Sequence, residues 1–109
     1  MATADEFRRI ALAFPGAEEK AHMGHPDFRV GGKIFATLGA PNDDWGMVAL
    51  LPEQQDMAIE AEADSFTPAS GAWGRGGSTL VRLDRVPGSW LEQTLGWAWQ
   101  NRAPAKLKG

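Results

Sequence analysis

Apolar residues near the start of the chain recur at helical spacing and predict a first helix. They lie at positions i, i+3, i+4 and i+7 and form one stripe: Phe7, Ile10, Ala11 and Phe14. Thr3 and Glu6 have the spacing of a capping box, which places the helix at about Ala4 to Ala13. Pro15 and Gly16 end it.

Two strand-prone segments follow and predict a β-hairpin. They are residues 28–30 and 33–38. Gly31 and Gly32 lie between them, and a pair of glycines suits the positive φ angles of a two-residue hairpin turn. The turn places Phe28 opposite Phe35 and Val30 opposite Lys33.

The remaining elements are predicted from turn residues and apolar spacing. They are a turn at 41–44, a largely buried strand at 45–51, a helix at 52–63, an irregular segment at 64–78, a strand at 79–84 and a helix to about 101. Ser89 and Glu92 form a second capping box at the start of that last helix. The helix at 52–63 has a weak inner stripe: Gln54, Met57, Ala58 and Ala61. The short hairpin connections favour an α+β fold of two layers, with a single antiparallel sheet backed by the N- and C-terminal helices.

Length and composition narrow the class of protein. The 109 residues suffice for a single domain, 1–109, and five Trp and five Phe supply core material. The absence of cysteine excludes disulfides, thiol nucleophiles and cysteine-ligated zinc. The longest apolar run, residues 47–51, is too short to span a membrane, and the acidic N-terminus lacks the apolar segment of a signal peptide. We therefore expect a soluble, cytoplasmic protein.

Charge is distributed unevenly along the chain. Residues 1–70 hold five Lys or Arg against twelve Asp or Glu, whereas residues 71–109 hold six against two. A basic segment can bind an anion locally even in an acidic protein. The candidate nucleic-acid or anion contacts are Arg29, Lys33, Trp73, Arg75, Arg82 and Arg85.

The glycine-rich stretch around Trp73 admits two interpretations. It fails the Walker pattern, because no lysine follows Gly76 and the next element is a strand. The structural interpretation, which we favour, is a tight loop in which Trp73 packs inward. The functional one is a mobile loop that presents Trp73 and Arg75 to an anion or a base.

Signs of metal binding and catalysis are weak. His22 and His25 lie three residues apart near Asp27, but no third distant ligand stands out, so we interpret the histidines as polar residues at a turn. The chain lacks tyrosine and a Gly-x-Ser-x-Gly motif, and acidic pairs such as Glu18-Glu19 and Asp43-Asp44 are typical of exposed turns. We expect no enzyme activity, no metal and no cofactor.

Three stretches together resemble the MmcQ/YjbR family of small bacterial domains. They are Phe14–Glu19, His25–Ala36, and Phe66–Ala69 with Gly71–Gly74; Ala98-Trp99 and Arg102–Pro104 are similar too. The resemblance spans nearly the whole chain. It implies a two-layer fold of one antiparallel sheet backed by helices, often called double-wing DNA-binding-like. It supplies no catalytic residues.

Two functions follow as hypotheses. The first is a nucleic-acid-associated protein, with DNA as a weakly bound partner. The second is a small-ligand or protein-binding module with an aromatic and basic cleft near Trp73. The sequence specifies neither the ligand nor the oligomeric state.

Overall fold

The computed structural model describes residues 2–108. In chain order its elements are α1 (Ala4–Ala13), β1 (Glu18–His22), β2 (His25–Val30), β3 (Lys33–Leu38), β4 (Trp45–Ala49), α2 (Pro52–Ala61), β5 (Phe66–Pro68), α3 (Gly71–Arg75), β6 (Ser78–Arg82), α4 (Gly88–Arg102) and a 3₁₀ turn at Ala105–Leu107. None of the helices in this range is long and apolar enough to cross a membrane.

The strands form one antiparallel sheet in the order β1-β2-β3-β4-β6-β5. Helix α4 packs on β3 and β4, and α1 packs on α4. This arrangement confirms the predicted α+β architecture, in which the N- and C-terminal helices back a single sheet.

Helix α1 has the predicted bounds and the predicted buried stripe. The Thr3 hydroxyl accepts a hydrogen bond from the Glu6 amide at 3.1 Å, so Thr3 is the N-cap. Phe7 is fully buried, and its ring lies 5.8 Å from that of Phe28 between their centroids. A Cβ at Gly46 would lie 2.7 Å from the Phe7 ring, so α1 covers the sheet face that carries these residues.

The core is built from large apolar side chains of α1, the sheet and α4. They include Phe7, Ile10, Phe35, Val48, Leu91 and Leu95. Phe14, which follows the last residue of α1, is only half-buried. Its ring stacks on that of Trp99, with a centroid separation of 5.9 Å. The Trp99 indole donates a hydrogen bond to the Pro15 carbonyl at 2.9 Å and thus joins α4 to the end of α1.

Of the two residue pairs predicted for the hairpin, one is correct and one is wrong. Val30 pairs with Lys33 across the Gly31-Gly32 turn, but Phe28 pairs with Ala36 rather than with Phe35. The reason is a bulge in β3, where Phe35 is an extra residue between two paired positions. Phe35 and Ala36 are both buried, whereas Ile34 and Thr37 on either side of them are half-buried.

Three further predictions were wrong in detail. Glu18 and Glu19 are exposed, but they belong to the edge strand β1 and not to a turn. Helix α4 begins at Gly88, so Ser89 lies inside the first turn, and no side chain caps this helix. The segment 64–78 is not irregular throughout, since it contains β5 and α3.

The inner face of α2 also differs from the prediction. The helix buries Gln55 and Ala58 and leaves Met57 and Ala61 exposed. The Gln55 amide finds three acceptors beneath the helix, which accounts for a glutamine on the buried face.

Candidate functional site

The face of the sheet opposite α1 and α4 carries a groove of about 930 Å³, which we name the open-face groove. Its floor contains Thr37, Met47 and Leu80. These three are paired neighbours in register on β3, β4 and β6. They alternate with buried core residues such as Val48 and therefore face away from the helices. Met47 and Leu80 are half-buried apolar side chains on the face opposite α1 and α4, and an apolar patch of this kind is a candidate binding surface.

The bulge in β3 adds a further apolar residue to this floor. Ile34 pairs with Arg29, next to Asp27 and Thr37 on the same face. Its side chain lines the groove, whereas Phe35 is fully buried in the core.

One end of the groove, which we name the histidine end, is built by the β1–β2 hairpin. His22 and His25 pair across a turn made by Met23 and Gly24, both at positive φ. The side chains of His22, Met23 and His25 line the groove, and Met23 is 85% exposed. The His25 ring packs close to Gly39, where a Cβ would lie 3.0 Å from Nδ1. The two histidines were expected at a turn, but they are the last residue of β1 and the first residue of β2 and flank the turn. Among residues 2–108, no group of three or more His, Cys, Asp or Glu side chains is placed to hold a metal ion.

The diagonally opposite end, which we name the Trp73 end, lies where β4 finishes and β6 begins. Its lining residues are Ser70, Trp73, Ser78 and Arg102. Ser78 pairs with Ala49 at the end of β4. The Asn101 side chain donates hydrogen bonds to the Ala49 carbonyl at 3.0 Å and to Gln54 Oε1 at 2.8 Å. These bonds hold the C-terminus of α4, and with it Arg102, against this end.

The expectation that Trp73 packs inward was wrong, because its side chain is 79% exposed. Trp73 belongs to α3, which is only five residues long. The neighbouring Gly74 is buried so tightly that a Cβ there would lie 1.8 Å from the Ala69 carbonyl oxygen. The backbone of α3 therefore occupies the space beside Ala69, and the indole is left on the outside.

Among the described residues that line the groove, Asp27 is the one carboxylate, and it is paired. Arg29 donates two hydrogen bonds to it, at 2.8 and 3.1 Å. Asp27 is 1% exposed and the Arg29 side chain is 29% exposed. The two hydrogen bonds from Arg29 hold the pKa of the Asp27 carboxyl below its ordinary value, although burial acts in the opposite direction. The charge of Arg29 lowers this pKa further, and His22 and Lys20 make smaller contributions in the same direction.

Two of the predicted phosphate contacts are already engaged by carboxylates. Arg29 holds Asp27, as described. Arg82 donates a hydrogen bond to Asp84 at 2.9 Å, and its guanidinium lies 5.7 Å from the centre of the Trp45 ring. A guanidinium that is paired with a carboxylate must give up part of that interaction to bind a phosphate. This cost is larger for Arg29, whose partner is buried, than for Arg82, whose pair with Asp84 is exposed.

The other predicted contacts are divided between the two ends of the sheet. Lys33 starts β3 at the Gly31-Gly32 turn, whereas Arg82 ends β6 at the opposite end of the sheet. Arg85 is exposed in the turn after β6, and Arg75 is exposed on α3. Among the six predicted site residues, only Trp73 lines the groove.

The sequence did not reveal the groove as a single site. His22, His25 and Trp73 were noted separately, and the fold brings all three to one groove. Arg102 was not singled out as a site residue. A signal was available at Met47 and Leu80, since apolar residues on both faces of a strand predict a second covered surface.

The comparisons with known proteins agree with this architecture. The crystal structure of Deinococcus radiodurans protein DR2400, which carries the family-model domain DUF419, is similar with a TM-score of 0.77 at 21% identity. That alignment covers 91% of this chain and 77% of the other. No curated protein matches the chain. The family model YjbR matches residues 12–101. The chain therefore belongs to the YjbR family.

Proposed function

We propose that this protein binds a small molecule in the open-face groove and performs no chemistry on it. The observation that carries this proposal is the groove itself, about 930 Å³ of apolar-floored space with a 79% exposed indole at its rim. Small-molecule sites have volumes of roughly 300–1,000 Å³ and are lined mainly by apolar and aromatic side chains.

The charge distribution supports a groove ligand over DNA. The formal net charge is -3, and the predicted phosphate contacts are dispersed or engaged by carboxylates. Duplex DNA is held mainly by many phosphate contacts on one continuous surface. The residues at the two ends of the groove, by contrast, line one continuous space that a single small molecule can contact.

The test uses indole as a neutral probe and follows the amide resonances of the ¹⁵N-labelled protein. We expect saturable shifts at the groove residues on β3, β4 and β6, and loss of those shifts in Leu80→Trp, whose larger side chain fills the floor. Leu12→Trp is the matched control, because Leu12 is exposed on α1 and does not line the groove. Indole shifts confined to other surfaces, or unchanged binding in Leu80→Trp, would overturn the proposal.

A further inference from the structure

We infer that the open-face groove selects an aromatic anion, with the ring on Trp73 and the carboxylate at Arg102. This inference rests on the proposed function and adds the chemistry of the ligand. It starts from the ionisable residues that line the groove: His22, His25, Asp27 and Arg102.

The charges in the lining do not cancel. Asp27 is balanced by the two hydrogen bonds from Arg29, so this pair presents little net charge to a ligand. Arg102 is exposed, and the ion pairs among residues 2–108 do not include it. A guanidinium keeps its charge at every physiological pH. The groove therefore has a local positive charge in an acidic protein.

The place of Arg102 in α4 accounts for its position. It lies in the last turn, where the partial negative charge of the helix end favours a cation. That partial charge is about half a unit and cannot neutralise a whole guanidinium. The Asn101 bond to the Ala49 carbonyl, whose residue pairs with Ser78, fixes the backbone that carries Arg102 beside the start of β6.

Trp73 supplies the second recognition element at the same end. Its indole is exposed although α3 is anchored through buried Gly74, so the ring is presented from a packed backbone. A flat apolar surface of this kind stacks on aromatic rings. The floor beyond it, with Leu80 and Met47, is apolar and accepts the remainder of the ligand.

A planar aromatic carboxylate satisfies both elements at once. A guanidinium binds a carboxylate through two parallel hydrogen bonds, and Arg102 has no competing carboxylate among the described ion pairs. A cationic aromatic molecule of the same size would be repelled, and a neutral one would gain the stacking alone.

The experiment compares three probes that share the indole ring: indole-3-acetate, the neutral alcohol tryptophol and the cation tryptamine. We expect indole-3-acetate to bind the groove more tightly than tryptophol by about threefold or more, as a partly exposed ion pair implies. Tryptamine binds most weakly. The preference for the anion diminishes at high salt, because exposed charges are screened.

Variants assign the preference to named residues. In Arg102→Gln we expect the affinity for indole-3-acetate to fall to that for tryptophol, with tryptophol unchanged. Arg75→Gln is the matched control, since Arg75 is exposed on α3 but does not line the groove. Trp73→Ala weakens all three probes, whereas Met57→Ala, an exposed apolar residue outside the groove, does not. Native-like amide spectra of each variant confirm folding.

The outcomes separate this inference from the proposed function. Equal binding of the three probes in the groove overturns the inference and leaves the proposed function standing. A preference for indole-3-acetate that persists in Arg102→Gln also overturns the assignment. If none of the probes shifts the groove resonances, both proposals fail.

Discussion

The side-chain amide of Gln55 donates a hydrogen bond to the Gly74 carbonyl at 3.0 Å, and so joins α2 to the short helix that carries Trp73. The same nitrogen lies 3.1 Å from both the Ser78 carbonyl and the Thr79 hydroxyl. One buried glutamine therefore connects α2, α3 and β6 at the Trp73 end of the groove.

Replacement of Gln55 by leucine removes these donors and leaves buried acceptors without partners. We expect Gln55→Leu to lower the free energy of unfolding by about 1–3 kcal/mol, measured by urea denaturation. Gln100→Leu, at an exposed position on α4, is the control and should change stability by less than about 0.5 kcal/mol. Equal stability of the two variants would contradict the connecting role of Gln55.

Two tryptophans should respond very differently to truncation. Trp99 is buried and donates a hydrogen bond to Pro15, so Trp99→Ala should cost about 3–5 kcal/mol. Trp73 is exposed, so Trp73→Ala should cost less than about 0.5 kcal/mol. Thermal unfolding of both variants checks this contrast. A large drop in melting temperature for Trp73→Ala would mean that the indole packs on the protein.

The Asp27–Arg29 pair predicts a pH dependence of stability. Because the pKa of Asp27 is lowered in the folded protein, its contribution is present above the unfolded pKa, at about pH 4, and is lost as pH falls through the folded value. We expect Asp27→Asn to lower stability by about 1–3 kcal/mol at pH 7. The difference from the unmodified protein should shrink below about pH 4. Urea denaturation of both proteins across this pH range measures the stability difference. A difference that does not change with pH would show that the Asp27–Arg29 pair is not its cause.

Gly77 is predicted to be intolerant of a side chain. Its φ is +115°, and a Cβ would lie 1.9 Å from the Leu50 carbonyl oxygen. Gly24, at φ +81°, is the matched control, because it shares the strained conformation but has open space at the Cβ position. Gly24→Ala should cost about 1 kcal/mol from backbone strain alone. Gly77→Ala should cost clearly more by urea denaturation, and similar values would show that the chain shifts to accommodate the methyl group.

DNA binding should be weak and non-specific. With Arg29 and Arg82 engaged by carboxylates, Lys33, Arg75 and Arg85 are the predicted contacts without an ion pair among the described residues. About three phosphate contacts imply a slope of roughly -3 for log K against log salt, and a Kd no better than about 10⁻⁴ to 10⁻⁶ M at physiological salt. Fluorescence anisotropy with labelled duplex measures both. Nanomolar binding at physiological salt would make DNA binding, rather than binding of a small molecule, the favoured function.

Local signals in the sequence were enough to predict α1, the Gly31-Gly32 hairpin and the class of fold. The Thr3 cap, the helical stripe and the paired glycines act over a few residues, so they can be recognised without knowledge of the rest of the chain. The bulge at Phe35 cannot be recognised in this way. It depends on how a phenyl ring packs between a sheet and helices that are distant in sequence.

The groove could not be predicted from local signals either, because it also depends on contacts between residues that are distant in sequence. The exposure of Trp73 is decided by the close approach of Gly74 to Ala69, and nothing in the glycine-rich stretch shows which side chain that approach displaces. The position of Arg102 at the groove depends on the hydrogen bond from its neighbour Asn101 to a strand more than fifty residues away in the sequence. Alternation along β4 was a recognisable signal, but residues 45–51 are almost all apolar, so the strand was interpreted as largely buried on both faces.

Because of the extra residue in β3, neighbouring side chains of one strand serve two different places, the core and the groove floor. In a strand of regular alternation Phe35 would share a face with Thr37 and fill the groove with a phenyl ring. The bulge turns that ring into the core, where it is fully buried, and leaves the smaller Ile34 on the floor. Substitutions at position 35 therefore act on folding, whereas those at positions 34 and 37 alter the groove floor with little effect on the core. The shape of the groove can thus change while the interior of the protein stays as it is.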